Sequence, residues 1–149
     1  MLEEKIDSDL KKAMLARETT LVSTLRSIKS SFLYYKIANS KRDKLLDDQE
    51  AINLLSKEAK KRQESADLYK QGGDESRSQQ ELSEKEIIDS YLPPKIDLVK
   101  LKEMVSDVVN SFDKDKTKMG AMIAEVKNKT NGGAGGAEIA RLVKESLDQ

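Results

Sequence analysis

The sequence predicts an all-α protein in two parts: an N-terminal domain of about four helices over residues 1–93, and a small three-helix bundle over residues 95–149. Three observations predict it. Apolar residues recur at every third or fourth position through most segments, and no convincing strand pattern appears. The only two prolines are adjacent, Pro93 and Pro94, and the apolar pattern stops before them and restarts beyond. Proline cannot continue a helix and pushes the preceding Leu92 towards extended geometry, so the pair marks a boundary. Finally, 36% of the 149 residues are charged, 37% hydrophobic and 4% aromatic, which suits thin helices sharing small cores beneath wide solvated faces.

Each element has its own signal. Leu2, Ile6, Leu10 and Met14 recur every fourth residue as the first amphipathic helix. A second helix begins near Glu18, its stripe running through Leu21, Leu25, Ile28, Phe32 and Tyr35. Asn39 and the basic NSKRDK run form its exit loop. Asp47 followed by Glu50 reads as a capping box for a third helix, whose stripe is Ile52, Leu55, Ala59, Ala66 and Tyr69 and whose stop is Gly72-Gly73. Arg62 falls inside that stripe, where an arginine snorkels or pairs with a buried carboxylate. From Asp74 a polar segment leads into a fourth helix with Leu82, Ile87, Ile88, Tyr91 and Leu92.

Beyond the prolines, Asp97 can cap a helix carrying Leu101, Val105, Val108 and Phe112. DKDKT is a charged loop. Met119, Met122, Ile123 and Val126 mark the sixth helix, and Ile139, Leu142, Val143 and Leu147 the seventh.

Composition narrows the function. With no cysteine or histidine, disulfide frameworks, the Ser–His–Asp and Cys–His nucleophile systems and the usual zinc sites are removed. No catalytic residue, metal site or cofactor is expected. The acidic start MLEEKIDSDL has no signal-peptide character, and no run reaches the roughly 20 apolar residues of a membrane span, so a soluble cytoplasmic protein without a membrane partner is expected. The 27 basic and 27 acidic residues cancel, so a nucleic-acid surface has to come from local segregation of charge.

Candidate cations for such a surface are Arg26 and Lys29 on the second helix and Lys57, Lys60 and Lys61 on the third. Lys57, Lys61 and Glu64 share one side of the third helix, while Lys60 and Arg62 turn to others. In the tail, Lys127, Lys129, Arg141 and Lys144 flank the glycine loop of Gly132, Gly133, Gly135 and Gly136. That loop is no P-loop, because Gly136 is followed by Ala137-Glu138 and not by Lys-Ser or Lys-Thr. A dinucleotide fingerprint needs a preceding strand, whereas MGAMIAEVKNK reads as a helix. Two readings remain: a backbone cradle for a phosphate of a larger ligand, or a helix cap and hinge using glycine for positive φ.

Together, LRSIKSSF from Leu25, KEAKKRQESADLY from Lys57, YLPPKI from Tyr91, MGAMIAEV from Met119 and GGAGGAEIARLVKESL from Gly132 resemble YqeY-like proteins over nearly the whole chain. These are stand-alone relatives of the C-terminal region of the GatB subunit of tRNA-dependent amidotransferases. The resemblance implies an all-α fold with a C-terminal three-helix tail, and a tail of the kind that contacts tRNA in GatB. It implies tRNA as partner, with an amidotransferase subunit or another protein as a further partner and no DNA. GatB's synthetic chemistry sits in a cradle domain absent here, and its glutaminase in another subunit. The carbon–nitrogen ligase label with glutamine as amido donor belongs to the full enzyme. Relatives often carry a basic residue at the position of Gly133, an acidic one at Gly135 and a lysine at Ala137. Because this chain lacks them, the loop is expected to act as a hinge, with RNA contacts mainly around Lys57, Lys60 and Lys61. The competing expectation is a protein–protein adaptor that binds no RNA.

Overall fold

The computed structural model describes residues 1–149 and contains seven α-helices, one short 3-10 turn and no strand. It divides into two compact units, Met1–Leu92 and Pro93–Gln149. The first contains α1 (Leu2–Ala16), α2 (Thr19–Ala38), α3 (Asp48–Gln71) and α4 (Glu75–Asp89).

Local chemistry sets most helix ends. Asp47 accepts from Glu50 N at 2.7 Å and the Glu50 carboxylate accepts from Asp47 N at 3.4 Å, closing the capping box of α3. Asp74 caps α4 by accepting from Arg77 N at 3.0 Å. Gly72 follows the last turn of α3, and Gly73 takes φ 81°, where a Cβ would be strained.

The core of this unit gathers Ile6 and Leu10 from α1, Leu25, Ile28 and Phe32 from α2, Leu46 from the loop, Ala51, Leu55 and Ala59 from α3, and Ile88 from α4. Two seats differ from the expected stripes. Met14 is exposed and Ala13 is buried in its place, because a spacing of four drifts about 40° per step around a helix of 3.6 residues per turn. On α3, Ala51 is fully buried while Ile52 is only half-buried. Tyr91 and Leu92 lie beyond α4, which ends at Asp89, yet both still pack against the core.

The most extensive helix pair is α3–α4, although the first half of α4 is poor in apolar residues. Polar contacts supply the fit. The buried Ser78 hydroxyl donates to Ala66 O at 2.8 Å, across a crossing of small side chains. Arg62 turns inward, with Nη1 3.0 Å from Glu84 and 3.5 Å from Glu81 on α4, while its Nη2 donates to Ser27 Oγ on α2 at 3.0 Å. The arginine within the stripe is thus paired with two half-buried carboxylates. Glu3 makes a second clamp. Lys36 Nζ donates to one carboxylate oxygen and Leu46 N to the other, each at 2.7 Å.

The second unit contains α5 (Leu98–Ser111), α6 (Met119–Thr130) and α7 (Gly136–Leu147), with the 3-10 turn Lys116–Lys118 in the expected charged loop. Asp97 caps α5 by accepting from Val99 N at 2.9 Å. Leu101, Val105, Val108, Val109, Met122, Val126, Ile139, Leu142, Val143 and Leu147 form its core. Phe112 stands just past α5 and packs from the edge.

Candidate nucleic-acid interface

All nine candidate cations are solvent-exposed, but they are not equally free. Lys29 Nζ lies 2.9 Å from Asp7, Lys61 3.4 Å from Glu58, Lys129 3.7 Å from Glu125 and Arg141 2.9 Å from Glu145. Exposed pairs of this kind contribute little to stability, yet each lowers the attraction its cation offers an incoming phosphate. Arg26, Lys57, Lys60, Lys127 and Lys144 have no acidic partner.

On α3, Lys57, Lys60, Lys61 and Glu64 are all exposed. Lys60, expected on another side, stands about 60° around the helix from Lys57 and Lys61 about 40° the other way, so the three form one solvent-facing arc. Of this basic run only Arg62 turns inward. The Arg62–Ser27 bond sets the middle of α3 beside α2, one residue from Arg26. Arg26 in turn lines a shallow groove of about 490 Å³ at the α1–α2 turn, with Met14, Arg17, Thr19, Val22 and Ser23. Arg17 escaped the sequence reading because it belongs to no stripe. It holds the left-handed position that ends α1, φ 58°.

At the exit of α2 the charges are engaged with each other. Lys41 Nζ donates to Glu50 at 2.8 Å. Lys41, and next the Tyr35 hydroxyl, pull the Glu50 carboxyl down to about 2. The same carboxylate raises the Tyr35 phenol and the Lys41 ammonium. Elsewhere in the unit, the Tyr91 hydroxyl donates to Asp9 at 2.6 Å, and burial first, then that bond, raises its pKa.

In the second unit the four loop glycines do different jobs. Asn131, φ 47°, caps α6 in the left-handed region and Gly132 follows at φ 85°. Gly133 is buried and needed for close approach. Its N donates to Thr130 O and its O accepts from Ile96 N, both at 2.9 Å. A Cβ there would sit 2.6 Å from Ile96 Cγ1 and 3.0 Å from Thr130 O. Positive φ therefore explains only one of the four glycines. Gly135 is the N-cap of α7 and offers no side-chain cap, and Lys127 reaches over Gly136.

No three acidic side chains converge as a metal site, and no helix is long and apolar enough to cross a membrane. A family model described as Yqey-like protein matches residues 3–147. The chain is also similar to Altered inheritance of mitochondria protein 41, mitochondrial, of Eremothecium gossypii. The two are 34% identical over 87 residues, which is 58% of this chain and 46% of that protein. The match thus spans under half of the relative's length.

Proposed function

The chain belongs to the Yqey-like protein family, and from that premise we propose that it is a helical tRNA-associated module of the cytoplasm. It acts as an accessory to glutamine-dependent amidotransferase-type tRNA metabolism and has no catalytic centre of its own. The observation that carries the reading is the exposed arc of α3, where Lys57 and Lys60 stand without acidic partners beside Lys61. Free ammonium groups on a rigid helix attract a phosphate backbone by charge and counterion release, with no need for aromatic stacking. The family resemblance of the glycine-loop tail to the tRNA-contacting tail of GatB supports the same partner. An amidotransferase subunit is the protein partner that this resemblance suggests. A cysteine-free chain has no disulfide to lose in a reducing cytoplasm.

The test is binding of total tRNA across a salt series. Wild type should bind with a steep negative salt slope, and Lys57→Glu/Lys60→Glu should weaken binding and flatten the slope by about 1.5, two phosphate contacts' worth. Unchanged affinity in that variant would remove α3 as the RNA surface. The adaptor reading is favoured by a different observation, the exposed Leu33, Tyr34 and Ile37 of α2. It expects no tRNA binding at any salt.

A further inference from the structure

Helix α2 carries two apolar stripes, and its packing uses one. Leu25, Ile28 and Phe32 face the core, with Tyr35 packed at its edge. On the opposite side Arg26, Ser30, Leu33 and Ile37 are all exposed, stepping by four, three and four, with Lys29 and Tyr34 beside them. Leu33 is 45% exposed, Tyr34 77% and Ile37 53%. Single exposed apolar side chains are ordinary, but three on one face within two turns, behind a helix already holding a core, form a patch. Steps of three and four are the spacing by which one helix seats another.

Charge selects the occupant. From Thr19 to Arg42 the chain has five basic residues and no acidic one; Lys29, Lys36 and Lys41 are met by Asp7, Glu3 and Glu50 from other segments, and Arg26 on the seam has no partner. We propose that the outer seam of α2 docks an acidic amphipathic helix of a partner protein. Its apolar side chains would cover Leu33, Tyr34 and Ile37, and a carboxylate would meet Arg26. A second copy of this chain, paired seam to seam, is a poor occupant. In either direction it brings another acid-free α2, leaving Arg26, the seam cation with no internal partner, without a counter-charge. RNA fits less well, because Tyr34 is a single stacking face and the Leu33 and Ile37 beside it offer none. The proposal stands whether or not α3 binds tRNA, since it uses none of Lys57, Lys60 and Lys61.

The experiment is a fluorescence-anisotropy titration of the full chain with three labelled helical peptides of about 18 residues, long enough for several turns. One has leucine at heptad spacing flanked by glutamate. The second has lysine in place of glutamate, and the third serine in place of leucine. The first should bind and the other two should not. Leu33→Ser/Ile37→Ser should weaken the first peptide at least tenfold, because two half-exposed aliphatic side chains lose their burial on binding. Its melting temperature should stay within a few degrees of wild type, as both positions are exposed. Arg26→Glu, at a side chain with no internal partner, should weaken the glutamate peptide several-fold and raise binding of the lysine peptide. Several outcomes overturn the proposal. They are no binding of the glutamate peptide, equal binding by the double variant, and equal binding of glutamate and lysine peptides by wild type. A concentration-dependent dimer abolished by Leu33→Ser/Ile37→Ser would assign the seam to a second copy. A fall in tRNA affinity in the same variant would assign it to nucleic acid.

Discussion

Replacing Arg62 with alanine removes the cation that Glu81 and Glu84 both face. Arg62 is 22% exposed in its side chain, Glu81 18% and Glu84 13%, so the cluster lies between the surface and the buried limits. Both acids approach the same guanidinium nitrogen, and without it two carboxylates about 6 Å apart repel by about 3 kcal/mol at an effective dielectric near 20. The bond to Ser27 is lost as well. Side-chain relaxation towards solvent recovers part of this, which leaves an expected cost of about 2–3 kcal/mol, below the 3–5 kcal/mol of a fully buried broken pair. Arg62→Leu should cost about the same, because leucine also strands both acids. An apolar replacement is harmless only where the acids go too. Arg62→Leu/Glu81→Gln/Glu84→Gln should therefore recover to within about 1 kcal/mol of wild type. Urea denaturation followed by circular dichroism measures all three. A deficit below about 0.5 kcal/mol, or a triple variant less stable than the single ones, would refute the electrostatic account and make Arg62 a surface residue.

Other outcomes follow from named contacts. Glu3→Ala should cost about 2–4 kcal/mol by chemical denaturation, since Lys36 and Leu46 N both lose their acceptor and Lys36 is only 12% exposed. Glu50 has a depressed folded pKa, so its stabilisation is complete above the unfolded value of about 4.3 and is lost as pH falls towards about 2. Glu50→Gln should flatten that part of the acid-denaturation curve. Gly133→Ala should destabilise the second unit by about 1–3 kcal/mol, because the Ile96 side chain can shift but the Thr130 carbonyl cannot. Gly135→Ala, with open space at the Cβ position and φ −75°, should stay within about 1 kcal/mol of wild type in the same melts. Lys127→Ala/Lys129→Ala/Arg141→Ala should flatten the tRNA salt slope only if the second unit contributes phosphate contacts.

What was legible in the sequence is what local chemistry decides. Asp47 with Glu50, and Asp97, bond backbone groups two or three residues away, so the starts of α3 and α5 could be read directly. The stripes of α5 and α7 were legible because one apolar face meets one core. Fits made by distant polar partners were not. Ser78 reaches Ala66, Glu3 reaches Lys36 and Leu46, and Ile96 meets Gly133, and none of these pairs has a sequence spacing that announces it. The four loop glycines look alike in the sequence and separate only when their neighbours are known. For the candidate cations, the sequence shows where positive charge lies but not which charges are already satisfied. Lys29 and Arg26, three residues apart, differ only in that α1 brings Asp7 to one of them.

The outer seam of α2 was hidden for a physical reason. An amphipathic helix is recognised by contrast between its faces, and apolar residues on both sides of the C-terminal half reduce that contrast. Leu33, Tyr34 and Ile37 neighbour Phe32 and Tyr35 of the core stripe in the sequence, and burial separates the two sets. One signal was present all along: the acid-free run from Thr19 to Arg42. In a chain this rich in glutamate and aspartate, a helix facing only water has no electrostatic reason to exclude them, and exposed lysines on it gain from carboxylates one turn away. The α3 surface follows that pattern, with Glu58 and Glu64 among its lysines, and α2 does not. Acids of other segments meet Lys29, Lys36 and Lys41, and Arg26 on the outer seam is left to an external counter-charge. Beside an exposed apolar face, the external source that satisfies both properties is an acidic amphipathic helix.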